Sequence, residues 1–428
     1  LVEQFFSSRT SDHEQDVETS IELLLRLAEL QRSRPEKAIA ALERAAALDP
    51  EALSADDRKH LGELYAQTGA HDERVIDNHL ALLARQPLYE PSLDALASHF
   101  TANGDLERAH ALYRVLVLVA PEHEAAKQFL RTHEVVSGPL EGVDMGRIAP
   151  PVPADAGIAS ALAQLWEGAH GLLAEHLPRL DVPTEARISP MGETLLARSW
   201  AEMLKRLGQS KVALVDGSGL ALADEPHYDH GTRGYFDVYA QHPPVIVAHE
   251  RARACTDAHA LRFALGRALY FTRPDAVFAM GLHPAVLARL VSATMQALHP
   301  RHARRKHHHG TEDPSRGLGQ ELARKLPMRI ARQVTAMFKE RENEAFDSRV
   351  WRVRVRHGGS RIGLVLGGEL DAAIRVLAAA EETPTGDALR ARADADEELR
   401  DLLAFAISAA FVEARRNLGA RVQARPTE

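Results

Sequence analysis

Two histidine-containing groups could bind a metal. His302, His307, His308 and His309 lie in and beside the basic run 301–306. Consecutive histidines point in different directions, and neither cysteine nor carboxylate accompanies them at the spacing of a zinc site. The basic run could bind phosphate instead. We interpret residues 301–317 as a solvated polar loop.

A second group consists of His227, Asp229 and His230 in the segment 225–231. Together they could bind a metal or perform acid–base chemistry. However, histidine and aspartate are also common in glycine-containing turns, and this segment lies between two predicted strands. A turn is the preferred interpretation. A divergent metal-dependent hydrolase with ligands from this loop remains an alternative.

Arginines surround a tryptophan in the segment 349–361, where the basic residues around Trp351 are Arg349, Arg352, Arg354 and Arg356. Arginine and aromatic side chains together can hold phosphates and stack on bases. In a strand, Trp351 would face away from the arginines. In a helix, Trp351, Val355 and Ile362 would share one face. An anion or nucleic-acid binder using residues 301–309 and 349–361 is therefore a second alternative, although the net charge of −8 argues against it.

The composition predicts a mostly helical soluble protein. The chain has 428 residues, of which 45% are hydrophobic and only 5% aromatic, and alanine, leucine, arginine and glutamate dominate. The single cysteine, Cys255, excludes a disulfide within the chain, which suits a reducing, cytoplasmic location. No apolar run is long enough for a membrane span, and no signal-peptide pattern begins the sequence.

Hydrophobic patterning predicts three short strands and a series of helices. The strands are Lys211–Val215, Phe236–Tyr239 and Pro244–Ala248. Thr256 and Asp257 form a good N-cap for a helix that begins near Ala258. Further helices are predicted at residues 158–177, 191–207, 283–298, 318–340, 346–365, 369–380 and 395–417.

Residues 1–134 contain three helical segments that end near Pro50, Pro87 and Pro121, at spacings close to 34 residues. In the clearest unit, Leu96, Ala97 and Phe100 precede an Asn103-Gly104-Asp105 turn, and Ala109 and Tyr113 follow it. The middle unit carries Leu61-Gly62, Tyr65 and a Thr68-Gly69 turn. This pattern resembles tetratricopeptide (TPR) repeats, which implies stacked helical hairpins with a concave binding surface. A plain helical bundle is the alternative.

Residues 135–157 are rich in glycine and proline and predict a linker. Beyond it, residues 158–428 form the second predicted domain. The run from Pro244 through Asp257 to Gly266 resembles the approach to the zinc helix of M48-type (gluzincin) metallopeptidases. Gly358–Gly363 resembles the later helix that supplies the third zinc ligand. The resemblance implies an α+β, minigluzincin-like domain with a small sheet, and a helical segment 349–361 whose arginines are solvated and pair with acidic neighbours.

The residues that would perform the chemistry in this family are replaced. In the His-Glu-x-x-His motif, Arg267 and Phe271 stand at the two ligand positions and Ala268 stands at the general-base position. Gly358 stands at the position of the third ligand and Ser360 at the position of an aspartate, whereas Arg361 and Gly363 match the family motif. The resemblance thus implies a pseudoenzyme without catalytic residues, metal or cofactor.

We therefore expect a non-catalytic scaffold or regulatory subunit, in which the repeats bind a protein partner within a larger bacterial assembly. The expected groove residues lie on first helices of the repeats and are Lys59, Glu63, Asp94 and Ser98. The second domain is expected to offer a further docking surface, with a peptide-binding edge beside strand 244–248. Nucleic acid and membrane are not expected partners.

Overall fold

The computed structural model describes residues 17–69, 73–136, 156–207 except 176 and 178, 211–220, 234–298, 315–340 and 347–425. Within these ranges the chain is mostly helical with few short strands, so the predicted fold class is confirmed at that level. The chain divides into two compact units. Unit one comprises residues 1–134, 385–390 and 422–428, and unit two comprises residues 135–384 and 391–421.

In the described part of residues 1–136, helices follow one another with short connections. They are α1 (17–30), α2 (Pro35–Leu48), α3 (Ala55–Thr68), α4 (Glu73–Arg85), α5 (Glu90–Ala102), α6 (Leu106–Val119) and α7 (Glu124–Thr132), followed by strand β1 (His133–Val136). From α2 to α7, each helix packs on the next one in the sequence.

Local sequence signals fix the turns between these helices. Ser54 and Asp57 form a reciprocal capping box at the start of α3. Gly69 ends α3 with a left-handed backbone, φ 68°, and Gly104 follows α5 with φ 75°. The Asp105 side chain then accepts a hydrogen bond from the Arg108 N–H at the start of α6. The two predicted turns are confirmed.

Small side chains let these helices approach closely. Ala38, Ala41 and Ala45 on α2 share one buried apolar cluster with Leu61 and Tyr65 on α3. Because alanine projects only a methyl group, the bulky side chains of the neighbouring helix can lie against the α2 backbone. A second set of buried residues belongs to α5 and α6: Leu93, Leu96, Ala97, Phe100, Ala109, Leu112, Tyr113 and Leu116.

The described remainder of the chain begins with α8 (Ala156–Leu173), a short 3-10 turn (Thr184–Ala186), α9 (Leu195–Leu207) and three strands. These strands are β2 (Ala213–Asp216), β3 (Phe236–Tyr239) and β4 (Val245–Ala248). The helices that follow are α10 (Glu250–Ala254), α11 (Ala258–Phe271), α12 (Val277–Gly281), α13 (Pro284–Leu298), α14 (Ser315–Lys325), α15 (Met328–Glu340), α16 (Ser348–Gly367) and α17 (Leu370–Ala378). The last elements are α18 (Gly386–Ala395), α19 (Glu397–Ala406), α20 (Ala409–Asn417) and β5 (Arg421–Ala424), which pairs with β1.

The three strands of unit two form one sheet in the order β2-β4-β3. β4 is parallel to β2, with Leu214 opposite Ile246, and antiparallel to β3, with Val238 opposite Ile246. All four β4 residues are buried, as their apolar sequence requires. The expected peptide-binding edge beside strand 244–248 is therefore wrong, because both sides of this central strand already carry ladder hydrogen bonds.

Two predicted helices and one predicted loop differ from the observed structure. The predicted helix 318–340 is two helices, α14 and α15, which meet at Pro327, where proline lacks the N–H that a continuous helix needs. The predicted helix 395–417 is also interrupted. Asp396 caps α19, and Ser408 accepts a hydrogen bond from Phe411 N–H to start α20. Helix α14 begins at Ser315, so residues 315–317 are helical and not part of a loop.

The predicted cap at the start of α11 is confirmed. The Asp257 carboxylate accepts hydrogen bonds from the N–H groups of His259 and Ala260 and, at 2.6 Å, from the Arg375 guanidinium. Burial alone would raise the pKa of Asp257, but the hydrogen bonds from Arg375 and from the two N–H groups lower it below its ordinary value.

We expect Asp257→Ala to lower the free energy of unfolding of unit two by about 1 kcal/mol near neutral pH. A carboxylate whose pKa is lower in the folded state stabilises the protein above its unfolded pKa. That contribution disappears as the pH falls through the folded pKa. The difference between wild type and variant should therefore shrink below about pH 4 in urea unfolding experiments. A pH-independent difference would contradict this account.

Candidate functional site

Helices α11 and α16 carry the positions at which the sequence resembles a zinc site, and they pack against each other along their lengths. Tyr270 near the end of α11 lies against Gly358, whereas Phe263 near its start lies against Gly367, so the two helices run antiparallel. A Cβ added to Gly266 would lie 3.1 Å from the Gly363 Cα, and one added to Gly363 would lie 2.6 Å from the Phe263 carbonyl oxygen. Glycine at both positions permits this approach.

Arg267 lies in this interface and is fully buried. Its Nη2 donates a short hydrogen bond to Oε1 of Glu398, a carboxylate from the first turn of α19 that is only 1% exposed. Ser360 on α16 donates a hydrogen bond to the same oxygen at 2.5 Å. The second oxygen, Oε2, lies 4.0 Å from Arg356 Nε. A buried ion pair thus joins three helices.

Aromatic side chains fill the rest of the interface. Phe271 is fully buried, and its Cζ would lie 2.7 Å from a Cβ added to Gly359. The Tyr270 hydroxyl would lie 2.6 Å from a Cβ added to Gly358. Burial raises the pKa of Tyr270, which keeps its hydroxyl neutral. The two glycines therefore provide the space that the two rings occupy.

A second ionic contact lies beside the first. Arg361 donates two hydrogen bonds to Asp401 on α19, at 2.9 and 2.5 Å. His357 Nδ1 lies 3.5 Å from the same carboxylate. Arg361 and Asp401 are partly exposed, unlike Arg267 and Glu398. The face of α16 that meets α19 is therefore cationic, and α19 supplies the matching carboxylates.

The residues at the positions that resemble a zinc site meet in this interface. Arg267, Phe271, Gly358 and Ser360 all lie there, and Ala268 is fully buried on α11. In the described residues, no group of three or more His, Cys, Asp or Glu side chains is arranged to hold a metal ion. The arrangement can anchor helices through charge, but its side chains are packed and engaged with one another.

Glu398 is a residue that sequence reasoning missed. It lies 131 positions after Arg267. Its surroundings, Asp396-Glu397-Glu398, have the acidic pattern of an ordinary solvated helix start, which Asp396 indeed caps. The one available signal was Arg267 itself, since an arginine within an apolar helix requires a buried acidic partner.

The arginine-rich segment around Trp351 is helical, as the family resemblance implies. Trp351, Val355 and Ile362 are all buried, as their shared helical face predicts. Arg349 is exposed and pairs with Asp347, whereas Arg352 is 8% exposed and donates to the Leu282 carbonyl. A uniformly solvated arginine face is therefore wrong, because α16 is packed around most of its circumference.

The four expected groove residues lie on α3 and α5 and are all at least partly exposed. Lys59 Nζ lies 3.3 Å from Asp56 and 5.4 Å from the centre of the Tyr89 ring. Glu63 lies 3.7 Å from His60, and Asp94 lies 3.3 Å from His123 Nε2. The side chain of Ser98 is exposed.

Several predicted features fall outside the described residues. They are His227, Asp229 and His230, the cluster His302 with His307–His309, and residues 137–155 of the predicted linker. Of the rest of that linker, residues 135–136 belong to β1 and residues 156–157 to α8.

Comparison with known proteins adds no relative: no protein-family model, curated protein or solved structure matches the chain. Among the helices that the structure describes, none combines the length and apolar character needed to cross a membrane.

Proposed function

We propose that the chain is a non-catalytic interaction protein, in which TPR-like hairpins bind a protein partner and a degenerate metallopeptidase-like domain serves as a second docking body. The observation that carries the non-catalytic part is the buried Arg267–Glu398 pair. It occupies the interface in which the resemblance would require a zinc ion and its ligands.

Each large side chain that stands at a zinc-ligand position has a neighbour that accommodates it. This supports a non-catalytic scaffold in which packing takes the place of zinc chemistry. Phe271 on α11 stands at the second histidine position of the zinc motif, and the α16 residue that faces it is Gly359. The other histidine position holds Arg267, and Glu398 neutralises it. Zinc requires imidazole, thiolate or carboxylate ligands with an open coordination position for catalysis. This interface offers a cation and an aromatic ring instead.

The hairpins of unit one support the interaction role. The first helices α3, α5 and α7 begin at residues 55, 90 and 124, spacings of 35 and 34 residues that fit a repeat of about 34 residues. Lys59 and Glu63 on α3 and Asp94 and Ser98 on α5 lie at corresponding positions one repeat apart. Charged and small polar groups repeated in this way suit the recognition of an extended or helical peptide.

The test of this function has two parts. The first is metal content, measured by elemental mass spectrometry on untagged protein purified without added metal. We expect far less than one zinc per chain, and unchanged stability after chelator treatment. One tightly held zinc per chain would contradict the non-catalytic reading and direct attention to His227 and His230.

The second part tests the groove. Lys59→Glu combined with Glu63→Lys keeps the net charge but reverses its arrangement. In crosslinking mass spectrometry from the native cell, we expect this variant to lose its crosslinked partner. The matched control is Arg44→Glu with Asp77→Lys, on the exposed surface of the second helices α2 and α4. Equal partner recovery by both variants would contradict the proposed groove.

A further inference from the structure

Two histidines stack on each other between α8 and the turn that connects β3 to β4. The ring centroids of His170 and His242 lie 3.9 Å apart, and the ring planes differ by 19°. Trp166, one turn earlier on α8, lies edge-to-face with the His242 ring at 5.6 Å between centroids. Both histidines are exposed, so protons reach them directly from solvent. The stack therefore joins two separate elements of unit two through a pair of titratable rings.

The turn of α8 that carries His170 is separated from the rest of the helix by a kink. At Ala169 the backbone leaves the helical conformation, with φ −138° and ψ 19°. Gly171, which follows His170, is a poor helix former. The terminal turn of α8, residues 170–173, therefore depends on contacts outside the helix. These are the stack on His242 and the burial of Leu173.

The charge of the stack depends on pH. Neutral imidazole rings can stack face to face, whereas two imidazolium rings at this distance repel each other. The pKa of His242 is lowered by partial burial and further by the positive charges of His170 and Lys211. A histidine whose pKa is lower in the folded state stabilises that state above its unfolded pKa of about 6.5, and this contribution is lost as the pH falls through the folded pKa. Acid therefore acts against the docked turn.

The surroundings do not neutralise a doubly protonated stack. Lys211, which precedes β2, adds a permanent positive charge. The packed elements are the rest of α8, the segment whose Leu180 N–H donates to Gln241, β3, α12, and α15 around Ile330, which faces Gly168. Their other titratable groups near the stack are Glu167, Arg179, Asp181, Tyr239, His283, Arg329 and Arg332. Cations outnumber carboxylates in this set.

We propose that His170 and His242 form a pH-sensitive contact, which holds the terminal turn of α8 on the β3–β4 connection at neutral pH and releases it when both rings are protonated. Neither histidine belongs to the α11–α16 interface or to the hairpins of unit one. This device is therefore independent of the function proposed above.

Backbone hydrogen exchange in the full-length protein tests the release. The reporting residues are 170–174, where the Ala174 N–H donates to the His170 carbonyl at 2.8 Å. After correction for the intrinsic effect of pH, exchange there should be about five- to tenfold faster at pH 5 than at pH 8 in the wild type. In His170→Phe, whose ring can stack but cannot become charged, the ratio should stay below about twofold. The matched control, His99→Phe in unit one, should keep the wild-type ratio.

NMR of the His242 ring provides a second measurement. Removing the neighbouring charge in His170→Phe should raise the pKa of His242 above its wild-type value. Two outcomes would overturn the proposal. One is the same pH dependence of exchange in wild type and His170→Phe, and the other is an unchanged pKa of His242 in that variant.

Discussion

Arg267→Met should lower the free energy of unfolding of unit two by about 3–5 kcal/mol, because it leaves the Glu398 carboxylate buried without its guanidinium partner. Methionine keeps much of the length and volume of the side chain, so the loss of charge dominates. Urea unfolding followed by tryptophan fluorescence measures this directly. All three tryptophans, Trp166, Trp200 and Trp351, lie in unit two and are buried.

Replacing both partners should cost much less than replacing one. Arg267→Met with Glu398→Leu removes both charges from the interior, and we expect its stability to lie within about 2 kcal/mol of wild type. The matched control is Arg361→Met, which breaks the neighbouring, partly exposed pair with Asp401 and should cost about 0–1 kcal/mol. If Arg267→Met cost no more than this control, the pair would not be the anchor of this interface.

Local signals predicted much of the fold because they act within a few residues. Asp257 caps α11, and Gly104 turns the chain between α5 and α6, where the sequence places them. The apolar run at residues 245–248 forms a buried strand. The rest depends on distant partners. Strand order is one example, because the sequence of β4 does not determine whether one or two neighbouring strands pair with it.

In the candidate site, too, the sequence identifies individual residues but not their distant partners. The sequence identifies Arg267 and Gly358 as residues whose side chains cannot bind zinc. It does not identify Glu398, because the side chain that neutralises Arg267 comes from a different helix far along the chain. Nor does it reveal that Gly358 and Gly359 receive Tyr270 and Phe271, since each helix by itself carries an ordinary helical pattern.

Packing between α11 and α16 allows the second large prediction. A Cβ at Gly363 would lie 2.6 Å from the Phe263 backbone oxygen, and backbone cannot rotate away. Gly363→Ala should therefore lower the free energy of unfolding of unit two by about 2–3 kcal/mol, even though alanine favours helix by about 1 kcal/mol over glycine. The three atoms nearest to a Cβ at Gly359 all belong to the Phe271 ring, which can shift more easily than backbone, so we expect a smaller loss of about 1–2 kcal/mol.

The two variants should then respond differently to a second change. Phe271→Leu removes the ring that faces residue 359, so it should offset part of the cost of Gly359→Ala and none of the cost of Gly363→Ala. The control is Gly317→Ala on α14, where an added Cβ meets nothing within 4 Å, so helix propensity alone should raise stability by up to about 1 kcal/mol. Urea unfolding by tryptophan fluorescence measures all of them. If Gly359→Ala were as well tolerated as this control, space would remain beside Phe271, and its ring would not fill the interface at residue 359.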